Sequence, residues 1–329
     1  MIISQTPLRI SLAGGGTDLL NYYKNNTGFV VSTAIDKYLY VIVKERFDDL
    51  IYVDYSKKEI VNNADEIQHD LVREAAKITK VKNGFEVMMV ADIPSEGSGL
   101  GSSSSLTVGL LNAFYQYKGI LVTSKQLAEE ACKIEIDILK RPIGKQDQYI
   151  AAFGGLKSFS FNGDEHVEVE DLELTSDTKR RLGSNLLLFF TNTTRTAGTI
   201  LEEQNKNIKN KLEFHHKIKE LAYDSRDALK NGNINRVGEN LKINWQLKKE
   251  LAANVTNAEI EKMYDAAMKG GALGAKISGA GGGGFLMVYC ERNNQDKLRG
   301  YMKGYRELPF LLEGYGSKII FNQTRYDIK

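Results

Sequence analysis

Three glycine-rich segments contain most of the residues whose types and spacing suggest chemistry in this 329-residue chain. The segment from Pro94 to Ser105 reads PSEGSGLGSSSS and joins an expected strand to an expected helix. Glycines allow positive φ, and a helix start leaves N–H groups unpaired, so such a loop can bind phosphate. A flexible Gly/Ser linker is the alternative, but linkers seldom run straight into an amphipathic helix. No lysine follows the last glycine, which excludes a Walker-type loop.

The first glycine-rich segment runs from Pro7 to Asp18 and reads PLRISLAGGGTD. Arg9 lies among β-forming residues, where an arginine usually occupies an exposed face. The alternative is that it points into a cleft and meets phosphate. From the residues alone the exposed face is favoured. Asp18 has an equally simple interpretation as the cap of a helix that begins near Leu19.

The third segment, Lys276 to Phe285, contains a G-x-G-x-x-G motif from Gly279 to Gly284. That motif marks a dinucleotide site when a helix comes directly after it. Here the sequence FLMVY comes next, which predicts a strand. The nicotinamide-dehydrogenase interpretation therefore loses its main support, and a glycine loop between two strands is expected.

The elements around these segments have an α+β order rather than a regular βαβ alternation. The sequence predicts strands at 2–12, 29–45, 85–91, 156–161, 186–191, 275–278, 285–289 and 318–321, and helices at 102–117, from Thr123 to about 139, at 146–153 and through most of 197–268. We expect a domain boundary near 180–195, which divides the chain into residues 1–185 and 186–329.

Composition narrows the classes of function. Apolar residues make up 42% and charged residues 26%, with a net charge of +2, so neither a nucleic-acid nor a membrane partner is expected. Two cysteines cannot build a disulfide framework, and no apolar run approaches the length of a membrane span. The sequence predicts a cytoplasmic protein with a small-molecule partner and leaves a homodimer open.

Together, in this order and spacing, the three segments resemble the signature motifs of the GHMP kinase superfamily. The first segment and the sequence GKQDQY from Gly144 to Tyr149 look most like those of bacterial D-glycero-D-manno-heptose 7-phosphate kinases. The resemblance implies a two-domain α+β fold with an active site between the domains. The N-terminal domain would be like domain 2 of ribosomal protein S5, and the C-terminal domain ferredoxin-like.

The resemblance also implies roles for individual residues. Arg9 and Asp147 would be catalytic, while Ser103 and Glu135 would bind Mg²⁺. The ATP phosphates would contact Pro94, Gly97, Ser98, Gly99, Leu100, Gly101, Ser102, Ser103 and Ser104. The substrate would contact Gly15, Gly16, Thr17, Asp18, Arg195, Gly281 and Gly282.

Positioning and charge neutralisation dominate phosphoryl transfer, and these residue types suit both tasks. Pro142 and Gly144 prevent Glu135 and Asp147 from sharing one regular helix, so the two carboxylates must converge from separate elements. Asp147 is expected to orient the acceptor hydroxyl and to pair with Arg9 as much as to remove a proton.

A phosphorylated acceptor would need a second anion site. Lys140, Arg141 and Lys145 cluster near Asp147, although Lys140 and Arg141 suit a helix C-terminus slightly better. Arg195, just before an expected helix, is the stronger candidate.

The leading interpretation is ATP-dependent phosphorylation of the anomeric hydroxyl of a heptose 7-phosphate. A fucose- or galactose-type kinase is the second, although the first motif has Gly-Gly-Gly-Thr-Asp where galactokinases have Gly-Glu-His-Thr-Asp. A non-catalytic sugar-binding regulator of the same fold is the third.

Overall fold

The computed structural model describes residues 1–93, 97–193 and 197–323. Two predicted site residues, Pro94 and Arg195, lie outside these ranges. The strands are Ile2–Ala13 (β1), Gly28–Glu45 (β2), Ile51–Asp54 (β3), Lys58–Val61 (β4), Phe85–Ala91 (β5), Leu156–Phe161 (β6), Val167–Asp171 (β7), Leu186–Phe190 (β8), Gly274–Ile277 (β9), Phe285–Tyr289 (β10), Glu307–Leu308 (β11), Leu312–Glu313 (β12) and Lys318–Asn322 (β13). The helices are Leu20–Asn26 (α1), Asp70–Thr79 (α2), Ser102–Tyr117 (α3), Ser124–Cys132 (α4), Gln146–Phe153 (α5), Ser176–Asn185 (α6), Ala197–Asn207 (α7), Leu212–Lys230 (α8), Ile234–Lys249 (α9), Ala258–Lys269 (α10) and Gln295–Tyr301 (α11).

A nine-stranded sheet is built on the long strand β2. The sequence predicts several strands over 29–45, but β2 is one strand of 18 residues. Its first half pairs with β6 and its second half with β5, while β1 runs antiparallel along its other edge. The last strands, β12 and β13, return to pair with β2 and β1. The division at residues 185 and 186 therefore stays a prediction, and the tail after residue 311 adds to the first sheet.

Strand β1 is covered by helices on both faces over most of its length. Helices α3 and α5 pack on it, as do α8 and α9. From Thr6 to Ala13 every residue is buried, although the strand begins with an alternating pattern. A strand covered on both sides has no exposed face, so the expectation that Arg9 lies on one is wrong.

The second sheet has four antiparallel strands in the order β11-β8-β10-β9. Helices α9 and α10 pack on β9 and β10. Trp245 on α9 is completely buried in the apolar core beneath them, as expected for a packing residue. A further apolar cluster contains residues of β1, β2, β8, β10, α8 and α9, so the two sheets share core contacts.

The expected helix from Thr123 to about residue 139 consists of two parts. The Thr123 hydroxyl accepts a hydrogen bond from Gln126 N at 3.2 Å, which confirms the cap. Helix α4 ends at Cys132, and a π-helical turn, Lys133–Ile138, comes after it. Such turns are rare in proteins, and those that occur often lie at functional sites. None of the helices within the described ranges is both long and apolar enough to cross a membrane.

Candidate active site

The second glycine-rich segment forms a tight loop that leads into α3. Gly97, Gly99 and Gly101 have φ values of 68°, 73° and 82°, a conformation that side chains disfavour. The Ser98 and Ser102 hydroxyls are 3.0 Å apart and fix the loop from within. The loop therefore presents backbone N–H groups and the N-terminus of a 16-residue helix, which together suit phosphate oxygens.

The third glycine-rich segment packs directly against this loop. A β-carbon on Gly99 would lie 2.5 Å from the carbonyl oxygen of Ser278, and one on Gly284 would lie 2.4 Å from that of Ser98. Only glycines permit this approach. Gly281 and Gly282 instead lie against Val255, to whose carbonyl oxygen Gly282 N donates at 2.7 Å.

Arg9 and Asp147 form a bidentate ion pair beside the phosphate loop. Arg9 Nε donates to Asp147 Oδ1 at 2.7 Å, and Nη2 donates to Oδ2 at 2.6 Å. Arg9 Nη1 also donates to the carbonyl oxygen of Gly99 at 2.6 Å. The Arg9 side chain is 5% exposed and that of Asp147 is 23% exposed. The pairing expected from the sequence is present, and it attaches the phosphate loop to β1 and α5.

Glu135 and Ser103 form an oxygen pair at the start of α3. Ser103 Oγ donates to Glu135 Oε1 at 2.7 Å, and Gln148 Nε2 donates to Oε2 at 2.8 Å. Burial raises the pKa of Glu135, an effect that these hydrogen bonds and the charge of Arg141 oppose. The Arg141 guanidinium donates to both Ser103 Oγ and Glu135 Oε1, so a cation lies against the pair. Two oxygen ligands plus phosphate oxygens and water suit Mg²⁺.

The first glycine-rich segment lines a cavity that Arg9 and Asp147 also line, through Gly15, Gly16 and Asp18. The helix-cap interpretation of Asp18 is wrong, because its carboxylate accepts hydrogen bonds from Gly16 N at 3.0 Å and from Gln146 N at 3.1 Å. Burial is the largest cause of its raised pKa, and the nearby charge of Asp147 adds to it. Thr17 is buried behind the segment, where its hydroxyl bonds Gly14 O and Phe29 O.

The basic residues proposed to hold a sugar phosphate are mostly engaged elsewhere. Arg141 contacts Asp70 at 2.9 Å in addition to the Ser103–Glu135 pair. Lys145 forms an ion pair with Glu165. Lys140, Arg141 and Lys145 are all absent from the described lining of the cavity.

Several polar residues that line the cavity were not predicted from the sequence. Lys248 and Asn244 come from α9, and Lys276 from β9. Lys248 could have been found, because it continues the apolar face of α9 marked by Leu241 and Trp245. A lysine at such a position is buried in the folded protein, and burial lowers its pKa to about 7.

One cavity thus joins residues from distant parts of the chain. Its lining comprises Arg9, Ser11, Gly15, Gly16, Asp18, Leu19, Ile143, Gly144, Gln146, Asp147, Leu201, Gln204, Asn244, Lys248, Lys276, Gly279 and Ala280. A carboxylate, an arginine held in place by it and a phosphate-binding loop are the parts that phosphoryl transfer to an alcohol requires. Within the described ranges, no cluster of three or more His, Cys, Asp or Glu side chains could hold a metal ion by itself.

Comparison with known proteins agrees with this chemistry. The family model for the GHMP kinases N terminal domain matches residues 65–155, and that for the GHMP kinases C terminal domain matches residues 225–306. The chain is 33% identical to D-glycero-alpha-D-manno-heptose 7-phosphate kinase of Campylobacter jejuni, over 96% of this chain and 98% of that protein. It is 25% identical to galactokinase of Pyrococcus furiosus, over 89% and 90%.

A solved structure has the same architecture. The D-glycero-D-manno-heptose 1-phosphate kinase from Bacteroides thetaiotaomicron superposes with a TM-score of 0.83 at 25% identity, covering 98% of this chain and all of that one. The expected α+β, two-domain fold is therefore confirmed. The chain belongs to the GHMP kinase family and is a phosphotransferase that uses an alcohol group as acceptor.

Proposed function

We propose that the protein transfers the γ-phosphoryl group of ATP to the anomeric hydroxyl of a heptose 7-phosphate, in the biosynthesis of a nucleotide-activated heptose. The observation that carries this proposal is the convergence of Arg9, Asp147 and Asp18 on one cavity beside the phosphate loop. Similarity over the full length to a heptose 7-phosphate kinase supports the choice of acceptor.

The phosphate loop binds the triphosphate in this proposal. Backbone N–H groups of residues 97–103 and the start of α3 surround the β- and γ-phosphates. Ser103 and Glu135 would hold Mg²⁺, whose charge would stabilise the negative charge that develops on the leaving group. Ser103 is exposed and so is accessible to a ligand, whereas Glu135 is fully buried and fixed by Gln148.

Arg9 and Asp147 act on opposite partners of the reaction. Arg9 is fixed by three hydrogen bonds and places its positive charge at the moving phosphoryl group. Asp147 orients the acceptor hydroxyl and accepts its proton, since an ionised carboxylate has lone pairs beyond the two that Arg9 occupies.

The remaining predicted residues shape the acceptor site. Asp18, held by the backbone of Gly16 and Gln146, accepts hydrogen bonds from sugar hydroxyls. Thr17 positions the segment that carries Gly15 and Gly16, while Gly281 and Gly282 shape the third loop through their contact with Val255. Contacts of Pro94 with the nucleotide and of Arg195 with the sugar phosphate stay predictions.

An acceptor panel with ATP and Mg²⁺ tests the proposal through ADP formation. The panel contains D-glycero-D-manno-heptose 7-phosphate, the free heptose, mannose 6-phosphate, galactose and fucose. We expect the highest kcat/KM with the heptose 7-phosphate. The Asp147→Asn protein, purified identically, controls for contaminating kinases. Turnover of galactose or fucose without turnover of the heptose 7-phosphate would instead assign the second kind of sugar kinase.

A further inference from the structure

One wall of the acceptor cavity carries two buried lysines and a buried asparagine. Asn244 and Lys248 lie one turn apart on α9, and Lys276 lies on the adjacent strand β9. Their relative exposures are 3%, 8% and 4%. Lysine is rarely this buried unless it has a partner. The wall therefore contains more buried amino groups than packing alone explains.

These side chains have unused hydrogen-bonding capacity. Lys248 Nζ donates to Ile277 O at 3.2 Å and to Gly279 O, which leaves one of its three N–H groups available. Within the described ranges, Lys276 Nζ forms no hydrogen bond or ion pair. Asn244 Nδ2 is likewise buried there without an acceptor. Buried donors without acceptors are unfavourable, so the wall is suited to a ligand that brings acceptors.

The acidic residues of the cavity do not neutralise this wall. Both oxygens of Asp147 are engaged by Arg9. Asp18 accepts hydrogen bonds from Gly16 and Gln146. Burial lowers the pKa of Lys248 and of Lys276, and the charge of Arg9 adds to the effect at both. An anion between the lysines would oppose each of these shifts.

We propose that Lys248, Lys276 and Asn244 bind the phosphate group that the acceptor sugar already carries, so that the protein selects phosphorylated over free sugars. This inference rests on the proposed function, in which the acceptor is a sugar phosphate. The triphosphate of the nucleotide has its own binding loop in residues 97 to 103, none of which belongs to the described lining of the cavity.

The cavity therefore offers the acceptor two kinds of hydrogen-bonding group. Asp18 and Asp147 provide hydrogen-bond acceptors for hydroxyl groups, and the lysine wall provides donors for phosphate. A sugar phosphate bound in the cavity places a hydroxyl group at Asp147 and its phosphate at the lysine wall. A free sugar would leave the lysines without an anion, which lowers its affinity.

Calorimetric titration with heptose 7-phosphate and with free heptose, in saturating ADP and Mg²⁺, tests the assignment. Lys276→Met keeps a long apolar stem and removes the charge. We expect it to lower the ratio of the two affinities by about 10- to 100-fold, the effect of losing a hydrogen bond to a charged group. Lys276→Arg should retain most of the ratio. Lys249→Met is the matched control, because Lys249 adjoins Lys248 on α9 but pairs with Glu261.

An unchanged ratio of the two affinities in Lys276→Met would overturn the inference, whether both affinities stay the same or both fall equally. A measurement of Tm with inorganic phosphate distinguishes failure of this inference from failure of the proposed function. With ADP and Mg²⁺ saturating, phosphate should raise the Tm of the wild type and not that of Lys276→Met. That difference would support the anion site even if no heptose is bound, and equal Tm shifts in the two proteins would contradict it.

Discussion

The Arg9–Asp147 pair allows a prediction that links stability to catalysis. Asp147→Asn keeps the shape of the side chain but removes its charge and replaces one acceptor oxygen by a donor. Arg9 would retain the hydrogen bond to Gly99 O and one to the amide oxygen of the new asparagine, but it would lose the other hydrogen bond and its charged partner. Because the Arg9 side chain is 5% exposed, water cannot replace those contacts fully.

The geometry of the pair sets two magnitudes. Breaking a buried ion pair by removing one partner costs about 3–5 kcal/mol. Asp147 is 23% exposed, so we expect the free energy of unfolding to fall by the lower value, about 3 kcal/mol. Loss of a positioned proton acceptor should lower kcat by about 10²- to 10⁴-fold. Urea titration and steady-state kinetics measure the two effects.

A second bidentate pair provides the control. Arg46 and Asp48 have the same geometry, with both N–O distances at 2.7 Å, but their side chains are 20% and 40% exposed. Asp48→Asn should therefore cost little stability and leave kcat unaltered, since exposed ion pairs contribute little. An Asp147→Asn protein with the kcat of the wild type would remove Asp147 from the reaction and refute the reasoning.

Three further predictions concern the loops and the buried ionisable groups. Gly99→Ala and Gly232→Ala both place alanine at φ 73°, and each should lower the free energy of unfolding by roughly 1–2 kcal/mol. Only the new methyl group at residue 99 meets the Ser278 carbonyl oxygen, so only Gly99→Ala should raise KM for ATP. Equal KM values in the two variants would contradict the loop contact. Glu135→Gln should raise the Mg²⁺ concentration that gives half-maximal activity. Glu130→Gln is the control, because it alters a contact with Tyr115 away from the proposed metal ligands and should leave that concentration unchanged. Identical Mg²⁺ titrations for the two variants would exclude Glu135 as a ligand. The pKa of Lys248 is about 7 in the folded protein against 10.5 ordinarily, so between these values the unfolded chain binds the additional proton and the free energy of unfolding rises with pH. Lys248→Met, which leaves Arg9 and Lys276 in place, should reduce that rise by at most about 5 kcal/mol, because the lowered pKa of Lys276 contributes to the rise as well. Parallel pH profiles for the two proteins would contradict this prediction.

Local sequence patterns predicted the elements that carry the site. The bounds of α3, α5, β5 and β10 match those expected, because turn residues flank each apolar pattern sharply. The loop before α3 and the strand after Gly284 could also be inferred. A glycine run ends the preceding element, and the residue types that follow it indicate whether a helix or a strand begins. These features indicated an anion-binding loop, and the resemblance of the three glycine-rich segments to GHMP kinases then implied phosphoryl transfer.

Contacts between distant segments could not be inferred in the same way. Burial of Arg9 depends on α8 and α9 covering β1, and nothing in the local sequence of β1 signals that packing. The return of β12 and β13 to the first sheet is equally non-local. Lys248 did leave a local signal, because a charged residue on the apolar face of a helix is as informative as a glycine motif.

Product analysis by phosphorus and proton NMR tests most directly whether this cleft directs ATP at an anomeric hydroxyl. With heptose 7-phosphate, ATP and Mg²⁺, we expect a bisphosphate in which the new phosphorus couples to the anomeric proton. A new phosphate on any other oxygen, or recovery of unchanged heptose 7-phosphate from an active preparation, would contradict the proposed function.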